Sequence, residues 1–179
     1  MSGPGGAECA PHRRDHRQSE GEEHGKGGSG IDPSGYEAGK QVKGKKRHVL
    51  VDTLGLVLQA LVAPANVQDR DGGLLLFTAL GERFPLLEKL FADGAYQGPQ
   101  FQQALAKVRP QLTIEIVTRS APAKGFVVLP KRWMVERTLA WLNRCRRLAK
   151  DFENRIRSAA AFVLLASIRL MVRKLCNPL

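Results

Sequence analysis

From residue 40 onward the chain switches repeatedly between two hydrophobic periods, and that order of switches limits its fold more than any other feature. Residues 48–52 and 56–62 are runs rich in β-branched residues around Thr53-Leu54-Gly55, which predicts a β-hairpin. Residues 69–84 carry Leu74, Leu75, Phe77 and Leu80 at helical spacing. A short apolar run at 86–92 predicts a buried strand. Residues 99–108 predict a second helix with Phe101, Leu105 and Val108 on one side. Residues 112–117 alternate as a strand does, and from Pro130 the pattern is helical nearly to the end, with a break near Glu153-Asn154. Hairpin, helix, strand, helix, strand and long helix make a mixed α/β sheet with helices packed on it. A chain of 179 residues is long enough for one domain with a real core.

Residues 1–39 have a different composition. They are rich in Gly, Glu, His and Arg and lack periodic apolar positions, so they cannot bury enough surface to offset the entropy of ordering. The expected division is a disordered segment over 1–30 and a folded domain over 31–179. The formal net charge of +11 favours polyanions, nucleic acid first. Cys9, Cys145 and Cys176 are widely spaced, without a CxxC pair, which argues against a zinc site or a disulfide framework and fits a reducing cytoplasm. The apolar stretch 159–168 is too short to span a bilayer and is closed by Arg169, so no membrane role is expected.

Two acids stand in positions suited to chemistry. Asp93 follows the apolar run and opens Asp93-Gly94-Ala95-Tyr96, where a strand meets a glycine turn. An isolated Asp-Gly is more often a turn former than a ligand. Glu136 lies on an Arg-rich helix, on one stripe with Ala140, Asn143 and Arg147. Beside Arg132 and Arg137 it could equally belong to a solvated ion-pair face. Brought together, two such carboxylates can hold divalent metal against phosphate. Asp52 reads as a turn residue, and Asp69 and Asp71 as helix caps. Residues 131–174 hold twelve Lys/Arg against three acids. Lys43, Lys45, Lys46 and Arg47, with Arg132, Arg137, Arg144, Arg146 and Arg147, are the candidate phosphate contacts.

Taken jointly, four stretches carry a specific resemblance: 35–40, 43–55, 92–96 and 133–142 (Trp-Met-Val-Glu-Arg-Thr-Leu-Ala-Trp-Leu). From about Gly27 to Leu179 the chain resembles the bacterial insertion-sequence transposases of the DDE class, family five. The resemblance implies a ribonuclease-H-like fold and DNA cutting and joining with magnesium or manganese, two ions in an intact member. It implies DNA as partner, both element ends and target, and admits a homo-oligomer. Asp93 matches the second catalytic Asp, Glu136 the catalytic Glu, and Arg132 lies one helical turn before it. The first catalytic Asp belongs in an upstream strand, which this chain lacks. Residues 12–26, back-translated and read one nucleotide later, can encode that strand with its Asp-Ser-Gln. The expectation is therefore an out-of-frame N-terminal segment, a sheet without its first central strand, and a copy that does not cut DNA. The rival is a non-catalytic basic DNA-binding remnant that could interfere with intact transposase. With aromatics at only 6%, an RNA-binding reading is weaker.

Overall fold

The computed structural model describes residues 6–12, 31–39, 41–118 and 132–177; for 6–12, 42 and 132 it describes the backbone alone. The elements are β1 (Gly6–His12), β2 (Gly35–Glu37), β3 (Val42–Asp52), β4 (Val57–Pro64), α1 (Asp69–Leu80), β5 (Lys89–Asp93), α2 (Pro99–Val108), β6 (Thr113–Val117), α3 (Arg132–Asn143), α4 (Arg146–Ala149) and α5 (Ile156–Cys176). A single 3-10 turn, Gly94–Tyr96, links β5 to α2.

The main sheet runs β4-β3-β1-β5-β6, and β2 pairs with the first residues of β3. β3 is antiparallel to both β4 and β1, whereas β1, β5 and β6 are mutually parallel neighbours. Three antiparallel strands followed by two parallel ones, with helices on both faces, is the ribonuclease-H-like arrangement. The side-chain period of two sends β3 into both cores. Leu50 joins Leu76, Phe77, Leu90, Tyr96, Phe101 and Leu105 beneath α1 and α2. Val49 and Val51 face the other way, into Val135, Leu139, Leu142, Leu148 and Val163 from α3, α4 and α5.

The central strand expected to be missing is present. Gly6–His12, inside the segment expected to be disordered, pairs with β3 on one side and β5 on the other. A slot between two strands presents unpaired backbone N–H and C=O groups on both sides, and filling it needs only main-chain partners. Hence a stretch with no hydrophobic period can occupy it. Pro11, opposite His48, brings no N–H to the ladder. The rest of the expected disordered segment lies outside the described residues.

Smaller differences have local causes. α1 stops at Leu80 rather than 84, because Gly81, at φ 58°, turns its N–H back to the carbonyls of Phe77 and Thr78. Its buried face is Gly72, Gly73, Leu76, Phe77 and Leu80, and Leu75 is exposed. Leu86 is exposed as well, so the strand before Asp93 begins at Lys89. The break near Glu153-Asn154 is real. Asp32 accepts from the Ile156 N–H at 2.6 Å and donates its own N–H to Asn154, capping α5 from a distant part of the chain. Among the described residues no helix is long and apolar enough to cross a membrane.

Candidate functional site

Asp93 is the last residue of β5 and half-buried. Its Oδ1 accepts from the Ala95 N–H at 3.0 Å, so it also caps the 3-10 turn. Tyr96, at the end of that turn, is fully buried against Phe101, with ring centroids 5.2 Å apart. The turn role and a ligand role therefore coexist: the buried ring anchors the backbone that presents the carboxylate. Glu136 is exposed on α3, between Val135 and Leu139, which are buried in the core. α3 packs against β1, β3 and β5, which puts Glu136 and Asp93 on touching elements.

α3 is held in place by the β3–β4 turn. Thr138 is fully buried, and its hydroxyl donates to the Gly55 carbonyl at 2.7 Å. Gly55 sits at φ 79°, and a Cβ there would press on the Thr138 hydroxyl, so glycine is required twice over. Asp52 accepts from the N–H groups of Leu54 and Leu56 at 2.9 and 2.7 Å, the turn role expected for it. Arg137 donates to the Leu54 carbonyl at 3.0 Å, and Lys174 donates to the same oxygen at 2.7 Å.

The register of the central strands shows what stands next to Asp93. Cys9 pairs with Ala92 in the parallel β1–β5 ladder. Continued by one residue, that ladder sets Ala10 beside Asp93, where neighbouring strands lie about 4.8 Å apart. Ala10 carries no carboxylate. Among the described residues, no group of three or more His, Cys, Asp or Glu could hold a metal ion. Two carboxylates alone do not fit the pair of divalent ions that the resemblance implies.

The basic candidates divide sharply. Lys45 donates to the Glu153 carbonyl at 2.7 Å and lies 3.8 Å from Asp151. Lys46 is buried and bridges Glu37 at 2.9 Å, Asp69 at 3.0 Å and the Val67 carbonyl at 2.9 Å. Asp69 thus serves as the partner of Lys46, while the residue before α1, Gln68, caps with no side-chain bond. Arg47 is buried and donates to the Leu148 carbonyl at 3.1 Å; burial lowers its pKa from the ordinary guanidinium value, and Asp151 opposes that shift. These three cations bind the fold together. Lys43, opposite Tyr36 in the β2–β3 pair, is exposed. Arg144 and Arg146 are exposed at the α3–α4 corner. Arg147, also exposed, pairs with Glu153 at 3.2 Å and covers the Phe162 ring at 5.0 Å. The side chain of Arg132 lies outside the described residues.

Two features escaped the reading of the sequence. His48 is completely buried at the centre of β3, with neither ring nitrogen hydrogen-bonded. Burial lowers its pKa to about 4, with Asp69 opposing and Lys46 reinforcing the shift. Gly72 makes room for the ring, since a Cβ there would overlap it. The second feature is a column of alternating aromatic and cationic side chains, Trp133, Arg137, Trp141 and Lys174. Its first three members stand four residues apart, a spacing that was legible in the sequence.

The sheet order defines a ribonuclease-H-like domain, with Asp93 at the end of β5 and Glu136 on α3. The Transposase DDE domain family matches residues 12–171, and the chain belongs to that family. It is 33% identical over 129 residues to a protein of Burkholderia cepacia described as a transposase for insertion sequence element IS402. That alignment covers 68% of this chain and 60% of the relative, less than two thirds of its length. The catalytic core domain of BIV integrase superimposes with a TM-score of 0.48 at 20% identity, over 77% of this chain and 78% of that one.

Proposed function

We propose that this chain is the catalytic-domain portion of an insertion-sequence transposase, and that it binds DNA without cutting it. Family membership supports the DNA chemistry of the intact parent, which cuts element ends and joins them to a target. Asp93 and Glu136 are the acids that would serve as catalytic residues and metal ligands there. Magnesium or manganese would neutralise phosphate charge when bound by a complete triad. The observation that supports inactivity is the β1 register: the pairing runs to Cys9 beside Ala92, and the next residue of β1 toward Asp93, Ala10, has no carboxylate to offer.

Lys43, Arg132, Arg137, Arg144, Arg146 and Arg147 remain the proposed DNA contacts; Lys45, Lys46 and Arg47 act on DNA only by shaping the fold. The segment before Gly27 is out of frame, and the encoding DNA tests this: a one-nucleotide shift there must yield the Asp-Ser-Gln strand. The working compartment is the cytoplasm, and a homo-oligomer on paired element ends is consistent with the parent's task. As a non-catalytic remnant, the chain would compete with intact transposase for DNA.

The test uses the purified chain and duplexes carrying the element's ends. Binding should weaken steeply with salt, and magnesium or manganese should produce no nicks. Metal-dependent cleavage that disappears in Asp93→Asn would overturn the inactive reading. Absence of salt-dependent binding would overturn the DNA reading altogether.

A further inference from the structure

β3 is longer than its neighbour β1. β1 ends at His12, opposite Arg47, so residues 42–46 of β3 run past it, and their first part pairs with β2 as a two-stranded ribbon. The ribbon is anchored on both sides of its middle pair. The Gly44 carbonyl accepts from the Ala65 N–H at 2.9 Å, and a Cβ on Gly35 would overlap Asn66. Glu37 is tied to the buried Lys46 at 2.9 Å. The side-chain period of two then sends the cross-strand pair Tyr36 and Lys43 to the outer face. Both are exposed, Tyr36 to 56%. The turn residues beside them, Ala38, Gly39 and Gln41, are small or polar and exposed as well. A phenol and an ammonium held open on a fixed backbone suit hydrogen bonding and charge, not the apolar core of a protein interface.

We propose that the β2–β3 ribbon is a second DNA contact, set apart from Asp93, in which Tyr36 and Lys43 hold phosphates of the same duplex. The inference rests on the DNA reading above. Tyrosine hydroxyls and lysine ammonium groups are both phosphate donors, and a two-stranded ribbon has the width to enter a major groove. The strand register supplies the distance. Cys9 pairs with Leu50 on one side and with Ala92 on the other. Asp93 follows Ala92 in the direction in which β3 runs back from Leu50 through Val49 toward the ribbon. Lys43 lies six positions before Val49, which is about 20 Å along the strand at the usual rise per residue. A duplex rises 3.4 Å per base pair, so the ribbon meets DNA about six base pairs from the nucleotide at Asp93. β3 acts as the ruler between the two contacts.

The test is a double cross-link on the full chain carrying Ala95→Cys and Tyr36→Cys; Ala95 is exposed in the turn after Asp93. The thiol at position 95 is joined to a thiol tethered at one fixed nucleotide of a duplex. A second DNA thiol is then stepped one base pair at a time along either strand. The chain with Ala95→Cys alone gives the background from Cys9, Cys145 and Cys176. The second cross-link should peak about six base pairs from the first. A peak more than about two base pairs from that spacing, or background yield at every spacing, overturns the ribbon contact. Salt-sensitive binding in the same samples would leave the DNA reading intact, and its absence on every duplex overturns both. Should the double variant not fold, Tyr36→Phe decides. A loss on the order of 10-fold in affinity supports the contact, and unchanged affinity overturns it.

Discussion

Lys45, Lys46 and Arg47 in β3 and Arg144, Arg146 and Arg147 at the α3–α4 corner are matched sets of cations, and the fold uses them in opposite ways. The first set lies in an interior strand, flanked by β4 and by β1, and its charges reach Glu37, Asp69, Asp151 and main-chain carbonyls. The second set lies on helix ends facing solvent. Net charge predicts attraction to DNA, but only exposure decides which charges can deliver it. A Lys beside a β-branched run is therefore a poorer DNA candidate than an Arg at a helix corner.

The largest effect expected within this comparison is at Lys46. Lys46→Met leaves Glu37 and Asp69 without their shared cation, and urea denaturation should show a loss of about 4 kcal/mol. Unchanged stability with lost DNA affinity would mean that the inner set faces DNA after all. His48, next in the same strand, extends the inner set. Its folded pKa of about 4 lies below the unfolded value of 6.5, so the unfolded chain binds more protons between those values. Stability should be full above pH 6.5 and fall by about 3 kcal/mol as the pH drops toward 4. In His48→Leu that part of the acid sensitivity should vanish; an unaltered pH profile would assign it to carboxylates instead.

The helix that leads into the outer set, α3, hangs on Thr138. Thr138→Val removes the bond to the Gly55 carbonyl and should cost about 1 kcal/mol in the same denaturation assay. The smallest effect on stability belongs to the outer set. Replacing Arg144 and Arg146 together with Ala should shift stability by less than about 0.5 kcal/mol. Yet the slope of log affinity against log salt should flatten by about 2. A double variant that melts early but binds DNA normally would reverse the assignment of the two sets.

Much of this arrangement was legible in residue patterns. α2, β6 and the helix bearing Glu136 follow from periods of two and 3.6, and the hairpin from its β-branched runs around Thr53-Leu54-Gly55, although β3 buries both faces. Asp93 and Glu136 were singled out through the family motifs, and the elements that carry them touch. The inner cations were not legible, since their partners, Val67, Leu148, Asp151 and Glu153, are remote in sequence and are supplied by packing. β1 was not legible for a different reason. Its place is set by main-chain pairing with β3 and β5, and Gly6–His12 offers no side-chain pattern to betray that. The same strand completes the sheet and, on the proposed reading, leaves the acid set short.

That dual role makes manganese calorimetry of the purified chain, run beside Ala10→Asp, the most direct test. The incomplete triad predicts no saturable binding to the natural chain and saturable binding to the variant, abolished again by adding Asp93→Asn. Saturable binding of two equivalents by the natural chain, lost in Asp93→Asn, would contradict it.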